Sequence, residues 1–200
     1  MKITFSQVAI IGTIVIGFGV LLLLIASKNS NVEAKYREVV NVFDIARGLE
    51  MDIEKFKNDI DSETVHNRVS SMAADATERL GGAASTPAVF VNGAAYNLRE
   101  FEQIKADLEV LKSEAALDES ITFPVNMEVF IDYNCAFCYE FEQVVEQLRL
   151  EVPDYANIEI KQLPFLRASS TTYAYAAEAA KEQGKFDEFN KEIFNQVHGE

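Results

Sequence analysis

The 200-residue chain has no tryptophan, only two histidines, two cysteines and four prolines, and its 18 basic residues are outnumbered by 32 acidic ones. Each shortage closes a class of function. Two cysteines plus His66 and His198, neither histidine at finger-like spacing from a second ligand, do not make the four-ligand set of a structural zinc site. A formal charge of −14 with no local Lys/Arg stripe opposes phosphate binding, so nucleic acid is excluded as a partner. No low-complexity tract or repeat is present, which leaves hydrophobic periodicity as the guide to organisation.

What the chain does have is Cys135-Ala136-Phe137-Cys138, both cysteines three apart and directly after the apolar run Met127 to Ile131. The run reads as a strand, and Asn134 onward as an amphipathic helix with Asn134 at the N-cap and Cys135 in the first turn. Unpaired amides and the positive end of the helix dipole stabilise a thiolate there, so Cys135 is expected to be the reactive thiol and Cys138 the resolving one. A purely structural disulfide would gain little, because stabilisation falls with the length of the closed loop and this loop is minimal.

Residues from about Val8 to Ala26 are apolar apart from Thr13 and three glycines. That run is close to the roughly 20 residues a membrane-spanning helix needs. It is longer than a signal-peptide core and ends in Ile25-Ala26-Ser27-Lys28, without a good small-x-small site, so residues 1–30 read as an uncleaved membrane anchor. Lys28, Lys35 and Arg37 follow the span, and a bare positive-inside count would keep the following domain in the cytoplasm.

Beyond it, Val39 to Leu49 carries one helical stripe, Gly48 and Asp52 mark a break before a short helix around Ile53 to Ile60, and a longer helix runs from about Ser62 to Leu80, stopping at Gly81-Gly82. Thr86 to Tyr96 reads as two short strands joined by Asn92-Gly93, a strong hairpin signal. Asn97 and Glu100 have capping-box spacing and open a helix to about Lys112, and residues 113–126 read as a linker. A strand near Ile158 to Gln162 and helices near Thr171 to Gln183 and Phe186 to Val197, separated by Gly184, complete the chain. His66 reads as solvent-facing, His198 as part of a frayed end, and most of the acidic residues as solvated helix faces and not catalytic carboxylates, since no pair stands out by spacing.

Three segments, Ile131-Asp132-Tyr133-Asn134-Cys135-Ala136-Phe137-Cys138, Leu163-Pro164-Phe165, and Ala176 through Phe186, resemble the first half of the DsbA-like thiol:disulfide oxidoreductases. Leu49 through Phe56 and Thr86-Pro87-Ala88-Val89-Phe90-Val91-Asn92-Gly93 resemble the second half. The resemblance implies a mixed α/β, thioredoxin-like fold with a helical insertion, but with the halves reversed. Residues 31–112 correspond to the second half and 127–200 to the first, as in a circular permutation joined through 113–126. A fragment of a tandem protein, one domain closing and another opening, is the other reading of the same order.

The resemblance also implies roles. Thr86-Pro87 would be the cis-proline loop beside the cysteines, offering backbone groups to an extended substrate. Tyr133, Phe137, Tyr139 and Phe141 surround the pair and read either as core, the commoner place for aromatics there, or as an apolar substrate rim, with Phe137 the candidate substrate-binding residue. The implied protein is a membrane-tethered oxidoreductase outside the cytoplasm (periplasmic or extracellular), needing no cofactor, acting on protein thiols and disulfides and recycled by a membrane redox partner. A catalytically inactive binding module on the same scaffold is the alternative. Two departures stand out: Ala136-Phe137 lacks the usual proline and has no imidazole between the cysteines, and Val129 occupies the strand position often held by a buried acid, with Glu128 and Asp132 nearby. The first implies a weaker oxidant.

Overall fold

Helix ends in this protein are written in local capping chemistry. In the computed structural model, which describes residues 40–98, 101–115, 125–154 and 156–199, the Asn41 side chain accepts from Phe43 N to open α1 (Val42–Gly48). Asp52 accepts from Lys55 N to open α2 (Ile53–Ile60), and Ser62 from Val65 N to open α3 (Glu63–Arg79). After Gly81 and Gly82, both at positive φ, the chain enters the hairpin β1 (Ala88–Val91) and β2 (Ala94–Tyr96). Asn92 and Gly93 turn it with φ of 48° and 83°, the left-handed pair that a two-residue hairpin needs.

Then follow α4 (Phe101–Ala115), β3 (Val125–Ile131), α5 (Ala136–Glu151), β4 (Ala156–Gln162), α6 (Ala168–Lys181) and α7 (Phe186–His198). The expected linker is shorter at both ends, because α4 continues through Ala115 and β3 already begins at Val125. Glu100 of the expected capping box, and the expected anchor over residues 1–30, lie outside the described residues. Among the described residues no helix is long and apolar enough to cross a membrane.

The strands form one sheet in the order β2-β1-β3-β4, with β1 antiparallel to β2 and β3, and β3 parallel to β4. Ala88 is opposite Phe130 and Val91 opposite Met127, so the hairpin half and the cysteine half of the chain share a sheet. Alternation along the strands gives the sheet two sides. On one, α3 packs Ala76 onto Ala88, Phe90, Phe130 and Leu163. Arg79 lies 3.7 Å over the Phe90 ring and pairs with Glu128, which Lys161 also holds. α4 packs on β3 and α5 on β4, burying Ile104, Leu108, Val145 and Leu148.

Helices α1 and α2 pack on α6 and α7, so segments from both ends of the described chain build one helical layer. Phe56 is at its centre, 5.4 Å edge-on from Phe43 and 5.5 Å from Phe189. The four-stranded sheet with its packed helices fits a thioredoxin-like fold.

Candidate functional site

Cys135 sits where β3 hands over to α5, but as the N-cap itself and not, as the sequence suggests, one residue inside the helix. Its Sγ accepts from the Cys138 N–H at 3.3 Å, the bond a capping oxygen would make. The reason Asn134 does not cap is tertiary: its side chain is engaged by Ser169 and Ser170 of α6, at 3.1 and 2.9 Å. The first turn of α5 holds no acidic residue, so the amide and the helix dipole act on the sulfur without a like charge in that turn.

Both cysteines are buried, Cys135 at 6% exposure and Cys138 at 1%. Burial pushes the Cys138 thiol well above the ordinary range, and the neighbouring Cys135 adds to this, so Cys138 is held as the protonated partner. The Cys135 thiol donates to the Thr86 carbonyl at 3.5 Å. Thr86 and Pro87, joined by a cis peptide bond, are thus beside Cys135 although 49 residues separate the two positions.

Phe137 is 72% exposed, whereas Tyr133 is fully buried and Phe141 nearly so. Of the four aromatics around the pair, Phe137 is therefore exposed, whereas Tyr133 and Phe141 are buried. A groove of about 740 Å³ runs along this edge, lined by Thr86, Pro87, Leu98, Phe137, Phe141 and Val144 among others. Phe165 and Leu166, 43% and 44% exposed, stand in the loop after β4.

The turn before Cys135 is bonded to three other parts of the chain. Asp132 is buried, and its carboxylate accepts from Asn134 N (2.9 Å), Ser170 Oγ (2.7 Å), Phe165 N (2.8 Å) and Leu166 N (2.9 Å). Tyr133 donates its hydroxyl to Asn190 Oδ1 at 2.8 Å and accepts from Gln162 Nε2 at 3.4 Å, and its carbonyl accepts from His198 Nε2 at 2.8 Å. Asn190 in turn donates to Glu142 Oε1 at 2.7 Å.

Several expectations from the sequence are corrected here. His198 is not frayed, since it bonds Tyr133 and stacks on Tyr139 at 5.3 Å. His66 is half-buried, bonded to the Ile60 carbonyl and stacked on Tyr175 at 4.0 Å. Glu142 and Glu178 are buried and not on solvated faces. Burial raises both: Glu142 is pushed up to about 7, with Arg149 opposing the rise and Glu146 and Asp187 adding to it. Glu142 had a sequence signal, because it interrupts the stripe Cys138, Phe141, Val145, Leu148 from within. Asn190 had a similar one between Phe189 and Ile193. The partners of both are nonlocal and carry no such mark.

Among the described residues no cluster of His, Cys, Asp and Glu could hold a metal ion. The arrangement brings together two thiols of unequal burial, a helix-terminal amide and a backbone carbonyl, the components of thiol–disulfide exchange. No curated protein matches the chain. A family model described as Thioredoxin matches residues 122–199, which spans β3, the Cys135–Cys138 pair and everything to the end of α7, and supports a thioredoxin-fold domain consistent with thiol oxidoreductase chemistry.

Proposed function

We propose that the chain is a DsbA-like protein thiol:disulfide oxidoreductase, circularly permuted and tethered to a membrane through its N-terminal segment, acting on proteins outside the cytoplasm. The observation that carries the reading is Cys135 at the helix N-cap, with the Cys138 amide and the Thr86 carbonyl both at its sulfur. Permutation is supported by the pairing of β1 with β3 and by the packing of α1 and α2 onto α6 and α7 within one chain. The apolar run from Val8 to Ala26 supports the tether.

In the oxidised protein a substrate thiolate attacks Cys135 Sγ, the Cys135–Cys138 bond breaks, and Cys138 leaves and takes a proton, as its burial demands. A second substrate thiolate then attacks the substrate sulfur of the mixed disulfide and expels Cys135 as a thiolate, held by the Cys138 N–H. The substrate is oxidised by two electrons and the protein is reduced; a membrane redox partner returns it to the disulfide. Thr86, Pro87 and Phe137 line the groove where the substrate chain would lie.

Cys138→Ala tests the reading. With the resolving thiol removed, a single-cysteine peptide presented as its disulfide with a small thiol should stay joined to Cys135, since neither Cys138 nor a second substrate thiol can expel it, and the adduct should be lost with Cys135→Ala. A binding module would hold the peptide equally well in both variants without a covalent bond, and that outcome would reject the enzyme.

A further inference from the structure

Asp132 opens a four-residue turn: Cys135 N donates to the Asp132 carbonyl at 3.0 Å while Asn134 N donates to its carboxylate at 2.9 Å. A side chain that bonds its own backbone two residues on fixes the turn locally. Its remaining bonds reach outward, Oδ2 to the amides of Phe165 and Leu166 and Oδ1 to the Ser170 hydroxyl. None of the four donors is charged, so the carboxylate is engaged in geometry and not in an ion pair. Such a group is costly to disturb, because removing one partner strands a buried donor.

We propose that Asp132 is a positioning residue for Cys135, holding the turn that presents the cysteine sulfur at the N-cap of α5 and tying that turn to the Phe165–Leu166 loop. The proposal rests on the reading of Cys135 as the reacting thiol and adds a residue whose side chain acts on Cys135 through the turn, while its backbone also reaches the Cys138 thiol. It also separates two effects of opposite sign. Asp132→Asn removes a negative charge, which by electrostatics alone would favour a nearby thiolate and speed its alkylation. It also puts an amide donor where an acceptor is needed, leaving Asn134 N or the Phe165 and Leu166 amides unpaired, which would loosen the turn and slow it. Ser170→Ala keeps the charge and removes the shortest of the four bonds, together with those the hydroxyl accepts from Asn134 Nδ2 in the same turn and from Arg167 N.

The experiment measures iodoacetamide labelling of Cys135 at pH 7, and amide hydrogen exchange at Cys135 and Cys138, in the full chain as Asp132→Asn, Ser170→Ala and the double variant. Labelling should slow, and exchange quicken, by about fivefold or more in each single variant, with the double variant close to the stronger single one, since both act through one network. Faster labelling in Asp132→Asn with no change in Ser170→Ala would assign Asp132 a purely electrostatic role and overturn the proposal, as would unchanged exchange in both. If Asp132→Asn does not fold, Ser170→Ala decides alone. Amide exchange is independent of thiol chemistry, so failure of Cys135 to label ahead of Cys138 in the unmodified protein would count against the functional reading while exchange still decides this one.

Discussion

The turn around Cys135 and the helical layer around Phe56 are both buried, yet they are held by different physics. The layer joins α1, α2 and α7 through aromatic edges, Phe43 on Phe56 and Phe56 on Phe189, with each ring almost fully buried. The turn joins β3, α5, α6 and α7 through directed bonds: the four to Asp132, those of Asn134 to Ser169 and Ser170, and that of His198 to the Tyr133 carbonyl. Apolar packing is non-directional and strong in proportion to buried area. Hydrogen bonds contribute less net energy each but fix direction. A sulfur that must meet an amide at its own helix terminus needs the second kind of support, while the layer beside it needs only to stay folded.

The comparison predicts that the two regions can be damaged separately. Phe56→Ala should cost about 3–5 kcal/mol of stability, the usual range for a fully buried aromatic. Cys135 labelling per folded molecule should be unchanged. Urea unfolding gives the first quantity and labelling below the transition the second; a labelling rate that fell with stability would show that the layer shapes the site.

Glu142 sits between the two regions, bonded to Asn190 and through it to Tyr133. Arg149, Glu146, Asp187 and Lys191 surround it electrostatically. Its folded value of about 7 lies above the ordinary carboxyl value, so the folded state binds the proton more tightly. The resulting stability is fully present below about pH 4.5 and is lost as pH rises through about 7, on the order of 3 kcal/mol. The raised Glu178 has the same sign. Glu142→Gln keeps an acceptor for Asn190 and cannot ionise, so the fall in urea midpoint between pH 5 and pH 8 should shrink. An equal fall in both proteins would remove Glu142 as its cause.

Much of the fold was legible because it is locally encoded. Asp52 and Ser62 cap helices in the structure, Asn92-Gly93 turns the hairpin, and Gly184 separates the last two helices, each through bonds or φ values within a few residues. The cysteine pair was legible for the same reason. Asn134 has the residue type of an N-cap but does not cap, because its side chain is claimed by serines of α6, and no window of sequence around it contains them. The burial of Glu142 and Glu178, and the docking of His66 and His198, depend on helices that meet only after folding. Thr86-Pro87 was placed beside the cysteines by resemblance, since spacing alone says nothing about residues 49 apart.

The central claim is that one cysteine is presented for reaction and the other withheld. Brief alkylation of the fully reduced chain near neutral pH, with the labelled position read by peptide mass, tests it most directly. The N-cap position of Cys135 and the raised thiol of Cys138 predict label on Cys135 well before Cys138. Equal labelling, or Cys138 first, would contradict the account.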